Sequence, residues 1–192
     1  MLNTIAQSFT RRAPAGDFWS LRLVDEREEY LSVRQGVLSP VSTQLNRGAF
    51  VSVIDGGGSG YAATCDLTPG GLRAALQQAR DWARRNAPHM LLDTRDLPRP
   101  AQQVQYHTPV KQAWDSIPLV DKITLLHDAC AALATDARIV DRMAWLHHRV
   151  TDTLLVSSAG AHIAQQFDYL MPGLVAVANE GARTQRRSGV SD

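Results

Sequence analysis

The first third of the chain mixes apolar and polar side chains in stretches that end at glycine, proline or asparagine. In the third stretch Val51 and Val53 would lie on one face and Ser52 and Ile54 on the other, as in a half-buried strand. The stretches are residues 18–27, 29–45 and 48–64. Glycines tolerate the positive φ angles of tight turns, so Asp55–Gly60 predicts a hairpin. We therefore expect an antiparallel meander.

Helical spacing begins after residue 68. Thr68 is a suitable N-cap, and Pro69 fits the first helical turn because no amide hydrogen bond is lost there. Spacings of three and four give one apolar stripe, comprising Leu72, Ala75, Leu76, Ala79, Trp82 and Ala83. Gly70 and Gly71 are weak helix formers, so we expect a loose first turn.

The middle of the chain predicts a connector and a second helix. Residues 86–117 contain four prolines and little periodicity, which favours a long irregular connection that contacts a partner or moves. A helix is predicted from about Pro118 to Ala134, and Cys130 is expected to be a small core residue. The predicted apolar face comprises Val120, Ile123, His127, Cys130 and Leu133 or Ala134.

The last third returns to strand patterns. The predicted strands are residues 138–150, 151–158, 161–170 and 174–181. Turns are predicted at Ser158–Gly160 and at Met171–Gly173. Strands, helix, connector, helix and strands follow one another in separate runs, which indicates an α+β fold with antiparallel strand meanders flanking two main helices. The 192 residues can bury one good core or two small ones, and one domain is the default.

Charge and cysteine content narrow the choice of partners and compartment. There are 20 Lys and Arg residues against 19 Asp and Glu residues, which gives a net charge of +1. The sequence therefore lacks the excess of positive charge that is typical of proteins that bind nucleic acid or an anionic membrane. Two cysteines suit a reducing compartment, and Arg11 and Arg12 follow the apolar start in the reverse order of a signal peptide. No apolar run approaches the roughly 18 residues of a membrane span. We expect a cytoplasmic protein with no nucleic-acid or membrane partner.

The six histidines do not predict a metal site. None begins the His-Glu-x-x-His pattern with which a helix places two zinc ligands one turn apart. His147 and His148 are the nearest candidates, but adjacent residues in a strand point to opposite faces and cannot easily bind one ion. We expect one of them to point inward and the other outward.

Other candidate chemistry is equally weak. The glycines of Asp55–Gly60 lack the Lys-Ser/Thr of a phosphate-binding loop, and Tyr61 stands where the last glycine of a dinucleotide motif belongs. Cys65 would need a nearby His to act as a nucleophile, and the sequence places none beside it. Ser157–Gly160 lacks the context of a nucleophile elbow. We assign no catalytic, cofactor-binding or metal-binding residue.

One segment carries a family resemblance. Gly60–Pro69, GYAATCDLTP, followed by an alanine-rich helix, resembles the G-[YF]-A-[AST]-T-x-D-L segment of TldD/TldE (PmbA) proteins. The resemblance continues in order through residues 121–134, Val156–Gly160 and Gly181–Gln185, and so covers the amino-terminal half of that family. Cys65 and the paired glycines after Pro69 depart from the family pattern.

The resemblance implies a function that this chain would not perform alone. Family members are zinc peptidases that cleave flexible or unfolded peptides with a homologous partner subunit around an enclosed chamber. Their zinc helix lies in the carboxy-terminal half, so the resemblance implies no cofactor in this chain and zinc in the other half. It implies an amino-terminal domain over residues 1–182, with 183–192 as a polar basic tail or the start of a further domain. This half would help to form the substrate chamber and the subunit contacts of a homo- or heterodimer.

Two alternatives remain open at the level of sequence. The chain could be a standalone, non-catalytic binding or regulatory module that docks on a full-length family partner. It could also be an independent enzyme that uses Cys65, a hypothesis that would fail if Cys65→Ser left activity intact.

Overall fold

The computed structural model describes residues 1–13, 16–99 and 101–190, which contain three α-helices and eight strands. The helices are α1 (Leu2–Thr10), α2 (Pro69–Asn86) and α3 (Leu119–Ala132). The strands are β1 (Phe18–Arg34), β2 (Val37–Leu38), β3 (Ser42–Asp55), β4 (Gly58–Thr64), β5 (Gln103–His107), β6 (Ile139–Ser157), β7 (His162–Glu180) and β8 (Arg183–Val190). Short 3₁₀ helices lie at Ala87–His89, Thr94–Asp96 and Trp114–Ser116. The predicted α+β fold class is confirmed.

The strands form one sheet in the order β4-β3-β1-β6-β7-β5, with β2 paired to β1 and β8 paired to β7. The β3–β4 and β7–β8 pairs are antiparallel, as meanders require. In contrast, β5 runs parallel to β7, with Gln103 opposite His162. The connector was predicted to be irregular, and that prediction is wrong over this strand.

The chain divides into two compact units, each with its own core. Unit 1 comprises residues 1–26, 46–107 and 151–166, and unit 2 comprises residues 27–45, 108–150 and 167–192. The long strands β1, β3, β6 and β7 each contribute a segment to both units. The domain limit at residue 182 stays a prediction, although the expected tail from residue 183 forms β8 along β7.

Unit 1 is organised by the packing of α2 against the β3–β4 hairpin. Gly56 and Gly57, with φ of +64° and +83°, make the two-residue turn, so the predicted hairpin is confirmed. A Cβ on Gly58 would lie 2.1 Å from the carbonyl oxygen of Ala83, and one on Gly60 would lie 2.2 Å from that of Ala79. These two glycines therefore let the helix backbone contact the strand directly.

The start of α2 and most of its stripe follow the prediction. The Thr68 hydroxyl accepts a hydrogen bond from the Gly71 amide at 3.2 Å, which confirms the N-cap. A Cβ on Gly71 would meet the Asp66 carboxyl carbon at 2.3 Å, so this glycine is needed for the close turn. Trp82 is the exception, because its side chain is 45% exposed and stacks with Arg85. The helix lies too close to the hairpin for an indole to fit between them.

Unit 2 is organised by α3, whose buried side chains differ from the prediction. Cys130 is fully buried, as expected, but the other buried residues are Lys122 and Leu126, with Ala129 packed against the core. Val120, predicted on the apolar face, is 65% exposed. Lys122 points inward because Glu29 and the Trp114 ring, both in unit 2, lie beside its ammonium group.

Two predicted features of the late strands are wrong. Residues 139–157 form one strand without a break at 150, and Met171–Gly173 lies inside β7 instead of forming a turn. Pro172 is tolerated because pairing with β8 begins only at Gly173. A Cβ on Gly173 would lie 2.0 Å from the Trp145 ring, so this glycine makes room for the indole. The initial helix α1 was not predicted at all.

Candidate functional site around His147 and His148

The structure places His147 and His148 on opposite faces of β6 in unit 2. The Nε2 atom of His148 lies 2.9 Å from Oδ1 of Asp168, and the residue is only 8% exposed. The Nε2 atom of His147 lies 3.2 Å from Oε2 of Glu28 and is partly accessible. The predicted inward and outward orientation is confirmed, so the two rings cannot bind one ion.

On the inward face a buried polar network surrounds the indole of Trp114. It comprises Glu29, Trp114, Lys122, His148 and Asp168. The indole nitrogen donates a hydrogen bond to Oε1 of Glu29 at 3.0 Å, and the His148 ring stacks on Trp114 with a centroid distance of 4.8 Å. The Lys122 ammonium lies 3.7 Å from the Trp114 ring centroid and 3.7 Å from Oε1 of Glu29.

The buried polar network is satisfied internally, which argues for a structural role. The Lys122 side chain is 7% exposed, so its charge depends on Glu29 and on the face of Trp114 for stabilisation. The Asp168 amide donates to the Thr108 hydroxyl at 3.2 Å, which ties β7 to the segment before α3. The network thus orders the chain around Trp114 and leaves little room for a ligand.

On the outward face the side chains are half-buried and remain accessible. This open polar face comprises Glu28, Tyr30, His147, Arg149 and Tyr169. Glu28 contacts both His147 and Arg149, the latter with 3.7 Å between Oε1 and Nη1. The Arg149 guanidinium lies 6.0 Å from the centre of the Tyr169 ring, and the Tyr30 ring meets that of His147 edge to face.

One donor on the open polar face is not used. Within the described ranges, the Nε atom of Arg149 is buried and has no hydrogen-bond partner, while the side chain as a whole is 37% exposed. A buried donor without a partner is costly, but this atom is covered by the protein and a bound molecule cannot reach it. The part of the guanidinium that a ligand can contact is its exposed portion, since the side chain as a whole is 37% exposed. Tyr169, 46% exposed, offers an aromatic surface beside it.

The other residues considered in the sequence are not brought together. Cys65 is exposed, and the shallow depression that it lines contains no histidine. Ser157 and Ser158 accept hydrogen bonds from the amides of Ala161 and Trp19. Among the residues that the structure describes, no three His, Cys, Asp or Glu side chains converge on a point where they could hold a metal.

Two models of protein-family domains match the sequence of this chain. The model of "PmbA/TldA metallopeptidase domain 1" matches residues 19–83, and that of the "PmbA/TldA metallopeptidase central domain" matches residues 113–192. The chain belongs to the PmbA/TldD family. The first match contains the whole Gly60–Pro69 segment and the β1 residues of the open polar face, Glu28 and Tyr30. The second match contains the other three residues of that face, His147, Arg149 and Tyr169.

Solved structures of similar proteins show the same fold. A candidate modulator of a DNA gyrase from Thermotoga maritima has a TM-score of 0.69 at 13% identity, with 99% of this chain and 42% of that chain covered. A candidate modulator of DNA gyrase from Bacteroides thetaiotaomicron has a TM-score of 0.70 at 14% identity, with coverage of 98% and 42%. TldE from Thermococcus kodakarensis has a TM-score of 0.65 at 18% identity, with coverage of 99% and 42%. None of the curated protein sequences matches the chain.

The PmbA/TldD family match refines the extent of the resemblance. The chain spans less than half the length of these solved relatives and corresponds to the first and central domains of the family. Across the described ranges, the helices are all too short or too polar to cross a membrane. The burial of Lys122 and the position of Arg149 on the open polar face were not predicted from the sequence. The sequence did contain one indication that Lys122 is buried. Lys122 precedes Leu126 by four residues, so both lie on the same face of the predicted helix.

Proposed function

We propose that this chain is the non-zinc-binding portion of a PmbA/TldD-type metallopeptidase, and that it helps to form the substrate chamber and the contacts with a homologous subunit. Peptides with flexible backbones are its substrate class. Hydrolysis requires zinc, which is held by a different part of the assembled enzyme. The protein works in the cytoplasm without nucleic-acid or membrane partners.

The zinc part of the proposal follows from the donor set. His147 and His148 point to opposite faces and already contact Glu28 and Asp168. A catalytic zinc needs three protein ligands on one side, which the described residues do not supply. The residues present therefore do not fit the metal, and we derive no catalytic step from them.

The observation that carries the peptide-binding role is the open polar face. It combines the partly exposed guanidinium of Arg149, a carboxylate on Glu28 and an accessible ring on Tyr169. A peptide carbonyl or terminal carboxylate would accept from Arg149, and an apolar side chain would pack on Tyr169. Such contacts favour extended peptides without selecting a sequence.

Binding of a fluorescein-labelled, unfolded casein peptide to the chain, followed by anisotropy, tests this role. We expect saturable binding that Arg149→Ala weakens by about tenfold, the cost of one hydrogen bond to a charged group. Arg34→Ala is the matched control. Arg34 lies on β1, is 64% exposed and pairs with Asp141 of β6, so it is a surface arginine outside the open polar face. Equal affinities for the two variants would refute the assignment of this face.

The alternative of a standalone docking module gives a different result in the same assay. The chain would then bind a full-length PmbA/TldD-family protein but no peptide, and Arg149→Ala would leave that binding unchanged. Detection of peptide binding by the isolated chain would argue against the docking module as the complete description.

A further inference from the structure

A second surface, in unit 1, has the features of a ligand site that is independent of the proposed peptidase role. The α1–α2 groove is an apolar pocket of about 240 Å³ between the first two helices. Its apolar lining includes Ile5, Phe9, Leu67, Leu72 and Leu76. Phe9 and Leu72 are 6% and 3% exposed, so the floor of the groove is part of the unit 1 core.

Both helices that form the groove pack against other parts of unit 1. Phe9 meets the ring of Trp19 edge to face at a centroid distance of 5.2 Å, which fixes the position of α1. On the other side α2 is fixed by its direct contact with Gly58 and Gly60. The two walls of the groove therefore belong to helices that the core of unit 1 positions.

Two arginines give the rim of the groove a positive charge. Arg12 and Arg73 both line it, and its described lining residues include no Asp or Glu. The Nη1 atom of Arg12 donates to the Ser8 hydroxyl at 2.8 Å. Within the described residues neither guanidinium lies within 4 Å of a carboxylate, whereas Arg80 and Arg84 on the same helix both pair with Asp55. The rim thus retains two cations without anionic partners.

The lining also selects among anionic ligands. Among the described residues that line it, Thr4 and Ser8 alone carry hydroxyl groups, and Ser8 already accepts a hydrogen bond from Arg12. A peptide backbone placed in the groove would leave amides and carbonyls without partners, which is costly. An aliphatic chain needs no such partners and gains from burial against Phe9 and Leu76.

We propose that the α1–α2 groove binds an aliphatic carboxylate of the medium-chain fatty acid class. The chain lies against the apolar floor, and the carboxylate accepts hydrogen bonds from Arg12 and Arg73 at the rim. This use of unit 1 does not depend on zinc, on peptide hydrolysis or on the open polar face of unit 2.

Isothermal titration of the 192-residue chain with sodium decanoate, below its micelle concentration at pH 7.5, tests the proposal. We expect one saturable site, with decyltrimethylammonium and decanol at least about tenfold weaker because they lack the anion. Arg73→Ala should weaken decanoate binding by a similar factor. Arg11→Ala, which removes an exposed arginine at the C-cap of α1 that does not line the groove, should leave decanoate binding unchanged.

The same titration identifies the results that overturn the proposal. Absence of saturable decanoate binding, or equal binding of the decyl cation, would exclude an anion site. Tighter binding of the apolar tripeptide Leu-Leu-Leu than of decanoate would show that the groove recognises peptide ends instead. Arg73 is exposed, so circular dichroism should show that its variant is folded.

Discussion

The buried polar network of unit 2 makes a strong prediction about stability. In Glu29→Gln the side-chain oxygen can still accept the hydrogen bond of the Trp114 indole, while the negative charge beside Lys122 is lost. The Lys122 side chain, 7% exposed, then lacks the opposite charge of Glu29 and has the Trp114 ring beside it. The variant therefore isolates the charge interaction from the packing.

The expected cost is about 2–3 kcal/mol. At a separation near 4 Å two unit charges attract by about 4 kcal/mol with an effective dielectric constant of 20. Glu29 is 29% exposed, so water screens part of this attraction. The cation–π interaction with the Trp114 ring still stabilises the ammonium by about 1 kcal/mol in the variant. Removal of one partner from a fully buried pair typically costs about 3–5 kcal/mol, so a value below that range fits the partial exposure.

Urea unfolding of the purified chain, followed by circular dichroism at pH 7, measures the effect. Lys122→Met should cost less than about 1 kcal/mol, because it removes the more buried charge. The Glu29 carboxylate that stays behind is 29% exposed and still accepts a hydrogen bond from the Trp114 indole. The double variant Glu29→Gln/Lys122→Met should consequently be more stable than Glu29→Gln alone. If the second change gives no recovery, the two side chains are not coupled and the account of the network is refuted.

Three further predictions concern unit 1. Gly60→Ala should destabilise the chain by about 2 kcal/mol or more, because its Cβ would overlap the backbone of α2, whereas Gly70→Ala, with its nearest neighbour at 3.7 Å, should be neutral or stabilising in the same urea titration. The hydrogen bond from Arg80, and then that from Arg84, holds the pKa of Asp55 below its ordinary value of 3.8. Its contribution is therefore present above pH 3.8 and lost as the pH falls through the folded-state pKa. Asp55→Asn should consequently cost about 1 kcal/mol at pH 7 and progressively less as the pH falls below 3.8, as measured by thermal unfolding across pH. Thr68→Ala should cost about 1 kcal/mol through loss of the α2 cap, and Thr68→Ser should restore most of it.

Local signals in the sequence were sufficient for much of unit 1. The hairpin glycines, the Thr68 cap and the small residues of α2 act within a few positions of one another, so their pattern predicts their structure. Trp82 was misplaced because periodicity cannot show how close a helix lies to its neighbour. That distance is set by Gly58 and Gly60, which are distant in sequence.

Features that depend on distant partners were not predicted. Strand β5 exists through parallel pairing with β7, and its five residues give no periodic signal among the prolines of the connector. Lys122 is buried because Glu29 and Trp114 meet it from other parts of unit 2. The open polar face likewise depends on β1, β6 and β7 as neighbours, so no spacing along the chain could bring Glu28, Arg149 and Tyr169 together.

Zinc content and casein hydrolysis, measured on this chain alone and after mixing with a full-length PmbA/TldD-family protein, test the central claim most directly. The account predicts no bound zinc and no hydrolysis for the chain alone, with both present only in the mixture. One zinc per chain in the isolated protein, or hydrolysis by it that a chelator abolishes, would contradict the assignment of this chain as the non-zinc-binding portion.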